Sequence, residues 1–229
     1  ERMRAIQGRF VLAEGETQFD QVSGHLGDLT VQVQGGITGG STSSFRDLLV
    51  RVTGDALHMT QLLPMKNVPK GMAEGMASVG VALRGLTTAP QMRGEIVLTD
   101  SKVIWPEVLE KPVGAPPAIN FEGHLDQKSG LTITQIEADV PPLRLPVKGT
   151  IRLGKRVSID ASIATGTVSL STVPEWITKG GFEAGNVEVS LDVKGKDADW
   201  RTWKINGWLA LSNGLVNVRG TDGPIQDLY

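Results

Sequence analysis

The sequence predicts an all-β protein built from two tandem repeats. Three observations support this. Apolar residues recur with a period of two along many short segments, turn residues separate the segments, and the two halves of the chain share one pattern. The 229 residues can bury a core, and the 28 glycines and 12 prolines favour many turns.

Alternation defines the strands. Because successive side chains of a strand point to opposite faces, each alternating segment has one apolar face. The clearest segments are Val79–Leu83, Ile119–Phe121, Leu143–Val147, Val157–Ile163 and Val187–Val193. Glycine, Asp or Asn follows nearly every segment, as expected for short strands separated by turns.

Turns and linkers are predicted between these strands. Asp100–Ser101 and Asn213–Gly214 have the composition of hairpin-type turns. Helix signals are few, and only Leu62–Lys70 and Ser171–Lys179 could hold a short helical turn.

An internal repeat is the strongest signal in the chain. Phe19–Ile37 matches Ile133–Ile151 without a gap, and apolar positions fall on apolar positions throughout. Glycine or proline recurs at matched positions in Gly8 and Gly123, Gly15 and Gly130, Gly35 and Gly149, Gly54 and Gly166, Pro64 and Pro174, Gly75 and Gly185, and Gly85 and Gly195. We therefore predict a first β repeat over residues 1–115 and a second over 116–229 that is truncated at its C-terminal end. We expect the chain to be a piece of a longer protein.

Composition and motifs argue against several classes of function. The 23 Lys and Arg residues nearly balance the 25 Asp and Glu residues, which gives no electrostatic reason to bind nucleic acid. There is no cysteine, so thiolate nucleophiles, disulfides and cysteine-bound zinc are excluded. The three histidines have no metal-ligand spacing. Gly149–Lys155 resembles a phosphate-binding loop, but Arg156 replaces the required Ser or Thr and a strand follows. We expect no catalytic residue, no metal and no cofactor, and hence not an enzyme.

Two segments resemble a sequence motif that recurs in the AsmA-like family of Gram-negative envelope proteins, the AsmA, TamB and YhdP type. The segments are Gly94–Val103 and Gly207–Val216, and each follows a strand that ends in glycine, at Gly85 and Gly195. The closing stretch Gly223–Leu228 is also similar to the segment that follows this motif in that family. The resemblance covers most of both repeats and includes no catalytic motif.

This resemblance implies a fold, a location and a function. The two repeats would be β-groove repeats that form one curved, open, antiparallel-rich sheet, a β-groove or β-taco-like shape, with Leu62–Lys70 and Ser171–Lys179 as short crossing linkers. AsmA-like proteins are anchored in the inner membrane and project a long β structure into the periplasm. They conduct phospholipid between the inner and outer membranes and resemble the eukaryotic bridge-like lipid-transfer proteins. The chain would then be a non-catalytic, lipid-conducting groove that contacts acyl chains. The membrane would be reached through segments outside this sequence, and an outer-membrane protein is a further implied partner.

The alternating segments also predict which residues contact the acyl chains. Their apolar members should form one continuous concave surface, lined by Val81, Leu83, Ile96, Leu98, Leu143, Leu145, Val147, Ile159, Val189, Leu191, Leu209 and Leu211. A sandwich core uses the same residue types, so a structural alternative stays open: a β-solenoid or sandwich stalk, adhesin or envelope-assembly scaffold with a self-covered core. A carbohydrate-binding or hydrolytic β domain ranks lower, because no paired carboxylates stand at a recognisable spacing.

Overall fold

The computed structural model describes most of the chain. The described residues are 3–40, 42–61, 73–105, 109–116, 118–126, 130–140, 143–153, 157–178, 182–197, 199–216 and 225–226. The predicted linker Leu62–Lys70 lies outside them. The linker Ser171–Lys179 is described except for its last residue.

The protein is nearly all antiparallel β structure, as the alternation predicts. In the first half the strands are β1 (Arg4–Ala13), β2 (Glu16–Leu26), β3 (Leu29–Thr38), β4 (Ser44–Asp55), β5 (Ala73–Leu86), β6 (Gln91–Val97), β7 (Ser101–Trp105) and β8 (Leu109–Lys111). In the second half they are β9 (Ala118–Asp126), β10 (Gly130–Val140), β11 (Leu143–Leu153), β12 (Ser158–Ala164), β13 (Val168–Ser169), β14 (Phe182–Gly195), β15 (Lys204–Val216) and β16 (Ile225–Gln226).

Helical structure among the described residues is short. Helix α1 spans Ala56–Gln61 and helix α2 spans Glu175–Thr178. Two single 3-10 turns cover Leu170–Thr172 and Trp200–Thr202. The small helical share that the sequence predicts is therefore confirmed.

The strands form one open antiparallel sheet. Its main path runs β1-β2-β3-β4-β5-β6-β9-β10-β11-β12-β14-β15-β16, and β7, β8 and β13 lie beside this path. Strand β6 pairs with β9 over seven residue pairs, from Gln91 opposite His124 to Val97 opposite Ala118. Because this pair joins the two predicted repeats, hydrogen bonding continues across the boundary between them.

The order of strands is the same in both halves. Strands β2 to β6 follow one another as neighbours, and β10, β11, β12, β14 and β15 do the same. Two details of the register depart from the sequence alignment. Phe19 lies opposite Gly35, whereas its aligned residue Ile133 lies opposite Ile151, which is aligned with Ile37. The alignment also matched Gly8 with Gly123. Phe10 lies opposite Phe19, and Gly123 lies opposite Ile133, the repeat partner of Phe19. The register therefore puts Phe10 in the place of Gly123. Superposition of residues 6–115 on residues 121–229 as two copies of one module stays a prediction.

The two predicted hairpin turns are bulges instead. Past Asp100, strand β7 returns to the same neighbour, so that β5 pairs first with β6 and then with β7. Asn213 lies inside β15, which pairs with β14 on both sides of a register shift. Asn213 has a φ of 52°, and Gly75 and Gly185 on the neighbouring strands have φ values of 91° and 117°. These left-handed conformations let the strand bulge and continue rather than reverse.

The buried core is small and lies under α1. It contains Leu29, Ala56, Met59, Ala73 and Ala77. The chain's accessible surface is 14712 Å², whereas a compact protein of this mass exposes roughly 10,000 Å². The large surface follows from the single-layer architecture, because most strands leave both faces of the sheet uncovered.

Candidate functional site

One face of the sheet is apolar along its whole width. Directly opposite residues of neighbouring strands share a face, so the register identifies its members. A single row crosses eleven strands through Val22, Val33, Val50, Val81, Gly94, Phe121, Ile136, Val147, Ile163, Leu191 and Gly207. We call this row the apolar row, and the side of the sheet that carries it the apolar face.

Parallel rows on the same side are also apolar. One row runs through Leu48, Leu83, Met92, Gly123, Ile133, Ile151 and Ile159. Another runs through Val31, Val52, Val79, Ile96, Ile119, Ala138 and Leu145. Their members are aliphatic residues, methionine or glycine, so the face offers no directional polar contact over most of its area.

The opposite face is polar. Apart from Leu49 and Ala82, its corresponding row is polar and runs through Gln34, Arg93, Glu122, Gln135, Lys148, Ser162, Asp192 and Asn206. Four ion pairs join directly opposite residues there: Arg9 with Asp20 at 2.8 Å, Arg93 with Glu122 at 3.1 Å, Lys194 with Asp160 at 3.6 Å and Arg144 with Asp139 at 3.8 Å. Exposed pairs of this kind add little stability, but they show that this face belongs in water.

The apolar row is only partly buried. All its members are intermediate in exposure except Gly207, which is exposed. In a two-layer sandwich the central row of each sheet is covered by the facing sheet and loses contact with water. Within the described part of the chain, no second β layer lies on the apolar face. The central aliphatic side chains therefore remain reachable from solvent.

One end of the apolar face is covered by the connections between strands. In the first half α1 contacts β4 and β5, and Ala56 and Met59 pack with Leu29 and Ala77. In the second half the 3-10 turn at Leu170–Thr172 contacts β14, and Leu170 is buried. Helix α1 follows β4 directly, and the 3-10 turn follows β12 after the two-residue strand β13, so each connection lies between corresponding strands of its half.

Gly94 makes a close approach between the two halves. A side chain there would collide with the ring of Phe121, which lies opposite it on β9. The missing side chain lets the ring lie across the junction between β6 and β9. The ring fills the gap that glycine leaves, so the apolar row continues from one half to the other.

The structure places eleven of the twelve predicted lining residues. Ten share the apolar face by register or alternation: Val81, Leu83, Ile96, Leu145, Val147, Ile159, Val189, Leu191, Leu209 and Leu211. Leu98 packs against the core under α1. The side chain of Leu143 is outside the described set. Whether these residues contact a ligand stays a prediction.

The sequence-based list omitted much of the first half. Val22, Val33 and Val50 belong to the apolar row, as do Phe121 and Ile163. The signal that finds them is the same alternation, interrupted by bulges. The register shifts between Phe19 and Val22 and between Phe45 and Leu48, and each shift reverses the phase of the pattern within one strand.

Other kinds of site gain little support from the geometry. In the described ranges, no three His, Asp or Glu side chains converge to hold a metal ion. His124 is an exposed residue of β9 and lies opposite Thr132 and Gln91. No helix among the described residues has the length and apolar character to cross a bilayer.

Comparison with known proteins adds no relative. A scan against protein-family models, a search of curated proteins and a search of solved structures each found no match to this chain.

Proposed function

We propose that the chain is a non-catalytic surface for lipid acyl chains, part of a longer AsmA-like protein of the periplasm that is anchored in the inner membrane. The observation that carries this proposal is the apolar row, which crosses eleven strands and stays partly exposed. The resemblance of Gly94–Val103 and Gly207–Val216 to the AsmA-like motif supports the location and the family.

The chemistry of the face suits acyl chains. Each methylene that leaves water for an apolar surface gains about 0.8 kcal/mol. Valine, leucine and isoleucine offer no directional contacts, so an acyl chain can move along the row without breaking hydrogen bonds. Strands are spaced about 4.8 Å apart, so eleven strands give a path of roughly 48 Å.

The proposed mechanism is passive. Acyl chains lie on the apolar face while headgroups remain in water, and no bond is made or broken. The apolar row does not stop at the boundary of the repeats, because β6 pairs with β9. Phospholipid would pass along it between the inner and outer membranes, with an outer-membrane protein as the partner at the far end.

The structural alternative needs a cover for the apolar face. A stalk or scaffold with a self-covered core would bury its central row against a second layer. The connections that the described residues place beside the sheet are short: α1, the turn at Leu170–Thr172 and helix α2, which contacts β8. The accessible surface of 14712 Å² also exceeds the roughly 10,000 Å² of a compact chain. Both observations favour the open surface.

A pair of neighbouring substitutions tests the proposal. Leu191 lies on the apolar row, and the adjacent Ser190 lies on the other face opposite Trp208 and Ala164. We expect Leu191→Asp to stay folded, since water reaches the row, and to lose most of the phospholipid that co-purifies with the wild type. Native mass spectrometry measures the lipid, and thermal unfolding measures the fold.

The control is Ser190→Asp, which introduces the same charge on the polar face and should keep the lipid. Unfolding of Leu191→Asp alone would indicate a sealed core, because an unpaired buried carboxylate is very costly. Equal lipid in both variants would remove Leu191 from the lipid path. Leu98 is a poorer choice, because its packing against the core under α1 would confuse folding with binding.

A further inference from the structure

The polar face has a recess in its first half, over the interior strands β2, β3 and β4. The recess holds about 410 Å³, and its lining includes Gln21, Ser23, Gln32, Gln34, Leu49 and Arg51. A second hollow of about 500 Å³ continues from it, since Gln34 and Leu49 line both. We call the two hollows together the polar recess. It lies on the side of the sheet away from the apolar row, so it is separate from the proposed lipid surface.

Two strained backbone positions line the polar recess. Gln21 on β2 has a φ of 51° and Asp47 on β4 has a φ of 47°, and these left-handed conformations are costly for residues other than glycine. The repeat makes Gln135 and Asp160 their counterparts, and neither is among the described non-glycine residues with a positive φ. Strain of this kind clusters at functional sites, so it points to the polar recess rather than to the corresponding surface of the second half.

The two halves also differ in charge at this place. Strand by strand, the second half has charged or hydroxyl residues where the first half has neutral ones: Lys148 for Gln34, Ser162 for Leu49 and Asp192 for Ala82. The polar recess therefore offers side-chain amides around one aliphatic residue, on a backbone that carries fixed charges in the other half.

One cation in the polar recess has no acidic partner. Asp47, the acidic residue of the lining, pairs with Arg84 at 3.8 Å. Arg51 makes no ion pair with any residue that the structure describes. Gly80 lies opposite Arg51 and has no side chain to cover it. An exposed guanidinium among neutral amides can bind a carboxylate through two parallel hydrogen bonds.

We propose that the polar recess binds a saccharide chain that carries carboxylate groups. The amides of Gln21, Gln32 and Gln34 each offer donors and an acceptor, as a series of sugar hydroxyls requires. Leu49 provides an aliphatic surface for the C–H face of a sugar ring, and Arg51 binds the carboxylate. A nucleic acid fits less well, because its closely spaced phosphates would meet a single free cation. This proposal does not depend on lipid binding.

Titration calorimetry of the purified chain compares three probes. A hyaluronan tetrasaccharide carries carboxylates, a chitin tetrasaccharide carries none, and inorganic phosphate is a simple anion. We expect the hyaluronan probe to bind about tenfold more tightly than the chitin probe, the usual effect of one charge-assisted hydrogen-bonded pair. No binding of the hyaluronan probe would overturn the proposal. Equal binding of both saccharides, or phosphate binding as tight as that of the hyaluronan probe, would also overturn it.

Exchange of residues between the halves tests the location. The double variant Gln34→Lys and Leu49→Ser gives the first half the residues that the second half has at the same places, so the fold should tolerate it. We expect this variant to lose most of its hyaluronan binding. The matched control Lys148→Gln changes the second half and should bind as the wild type does. Undiminished binding in the double variant, or loss of binding in the control, would overturn the location.

Two single variants separate binding from folding. Glycine adopts the left-handed φ of Gln21 without strain, so Gln21→Gly should unfold at no lower temperature than the wild type and yet bind the hyaluronan probe more weakly. Arg51→Met should bind the two saccharides equally, because the carboxylate has lost its partner. Wild-type affinity in Gln21→Gly, or an unchanged preference for the acidic probe in Arg51→Met, would contradict the proposal.

Discussion

At the scale of single residues, the sheet depends on glycines as much as on aliphatic side chains. Gly149 has a φ of 139°, and a Cβ there would come within 2.5 Å of the Cα of Ala161 on the neighbouring strand. Its repeat partner Gly35 has a φ of 117° and would bring a Cβ within 2.8 Å of the Cα of Leu48. Both positions need a left-handed conformation and a close strand, so neither tolerates a side chain.

We expect Gly149→Ala to lower the free energy of unfolding by about 1–3 kcal/mol, the usual cost of a strained backbone. The control is Gly166→Ala, because a Cβ at Gly166 meets no atom within 4 Å. Urea denaturation followed by circular dichroism measures both. A Gly149→Ala protein as stable as the wild type would show that the strand can move away.

Lys111 is a buried, charged residue that belongs to none of the apolar rows. It is 1% exposed, and its Nζ donates to the carbonyl oxygens of Ser101 at 2.6 Å and Pro112 at 2.9 Å. Burial lowers the pKa of Lys111, and the nearby charge of Asp100 opposes this effect. These hydrogen bonds connect β8 to the start of β7, and burial of the amine costs desolvation free energy.

The sign of its pH dependence follows from that lowered pKa. The unfolded chain holds the proton more tightly than the folded one, so protonated Lys111 costs stability at neutral pH. This cost disappears as the pH rises through the folded pKa towards the ordinary value of 10.5. Relative to Lys111→Met, the wild type should therefore gain unfolding free energy between neutral pH and about pH 10.5. Lys148→Met, at an exposed lysine, controls for the lost charge, and a flat difference would contradict the prediction.

At the scale of elements, α1 shows how a short helix can be specified locally. The Oδ1 atom of Asp55 accepts hydrogen bonds from the backbone N–H groups of Leu57 at 2.9 Å and His58 at 3.2 Å. Asp55 thus caps the helix, and Met59 and Ala56 anchor it on the sheet. A helix of six residues is unstable by itself, so the cap and the packing together maintain it.

Loss of this cap should have a measurable cost. We expect Asp55→Ala to lower the unfolding free energy by about 0.5–2 kcal/mol and Asp55→Asn to retain most of it, because Asn also accepts these bonds. Thermal unfolding compares the two variants. A loss as large in Asp55→Asn as in Asp55→Ala would indicate that the charge, rather than the cap, is what matters.

The strands could be predicted from the sequence, whereas their irregularities could not. Val79–Leu83 and Val187–Val193 alternate without interruption, and each lies within one strand. Asn213–Gly214 was wrong as a hairpin because the same residue types that reverse a chain also make a bulge, and only pairing with β14 distinguishes the two. The apolar face was predictable in kind, but the bulges in β2 and β4 interrupt the alternation next to its first-half members Val22 and Val50.

At the scale of the whole molecule, an open single-layer sheet should be extended. A compact chain of this length has a radius of gyration of roughly 17 Å. The main path has thirteen strands in the described chain, which span roughly 58 Å at 4.8 Å per step. We expect small-angle X-ray scattering, extrapolated to zero concentration, to give a radius of gyration clearly above the compact value. A value near 17 Å would indicate that the sheet has closed on itself.

The apolar face also bears on how such a chain diverges. The predicted repeat aligns Val31 with Leu145 and Phe19 with Ile133, whereas Gly35 and Gly149 are alike. A half-exposed aliphatic surface accepts exchange among similar side chains, because no neighbouring layer fixes their shape. Substitutions should therefore be tolerated along the apolar rows and disfavoured at the bulges. The feature of such a repeat that should change least is the spacing of its glycines.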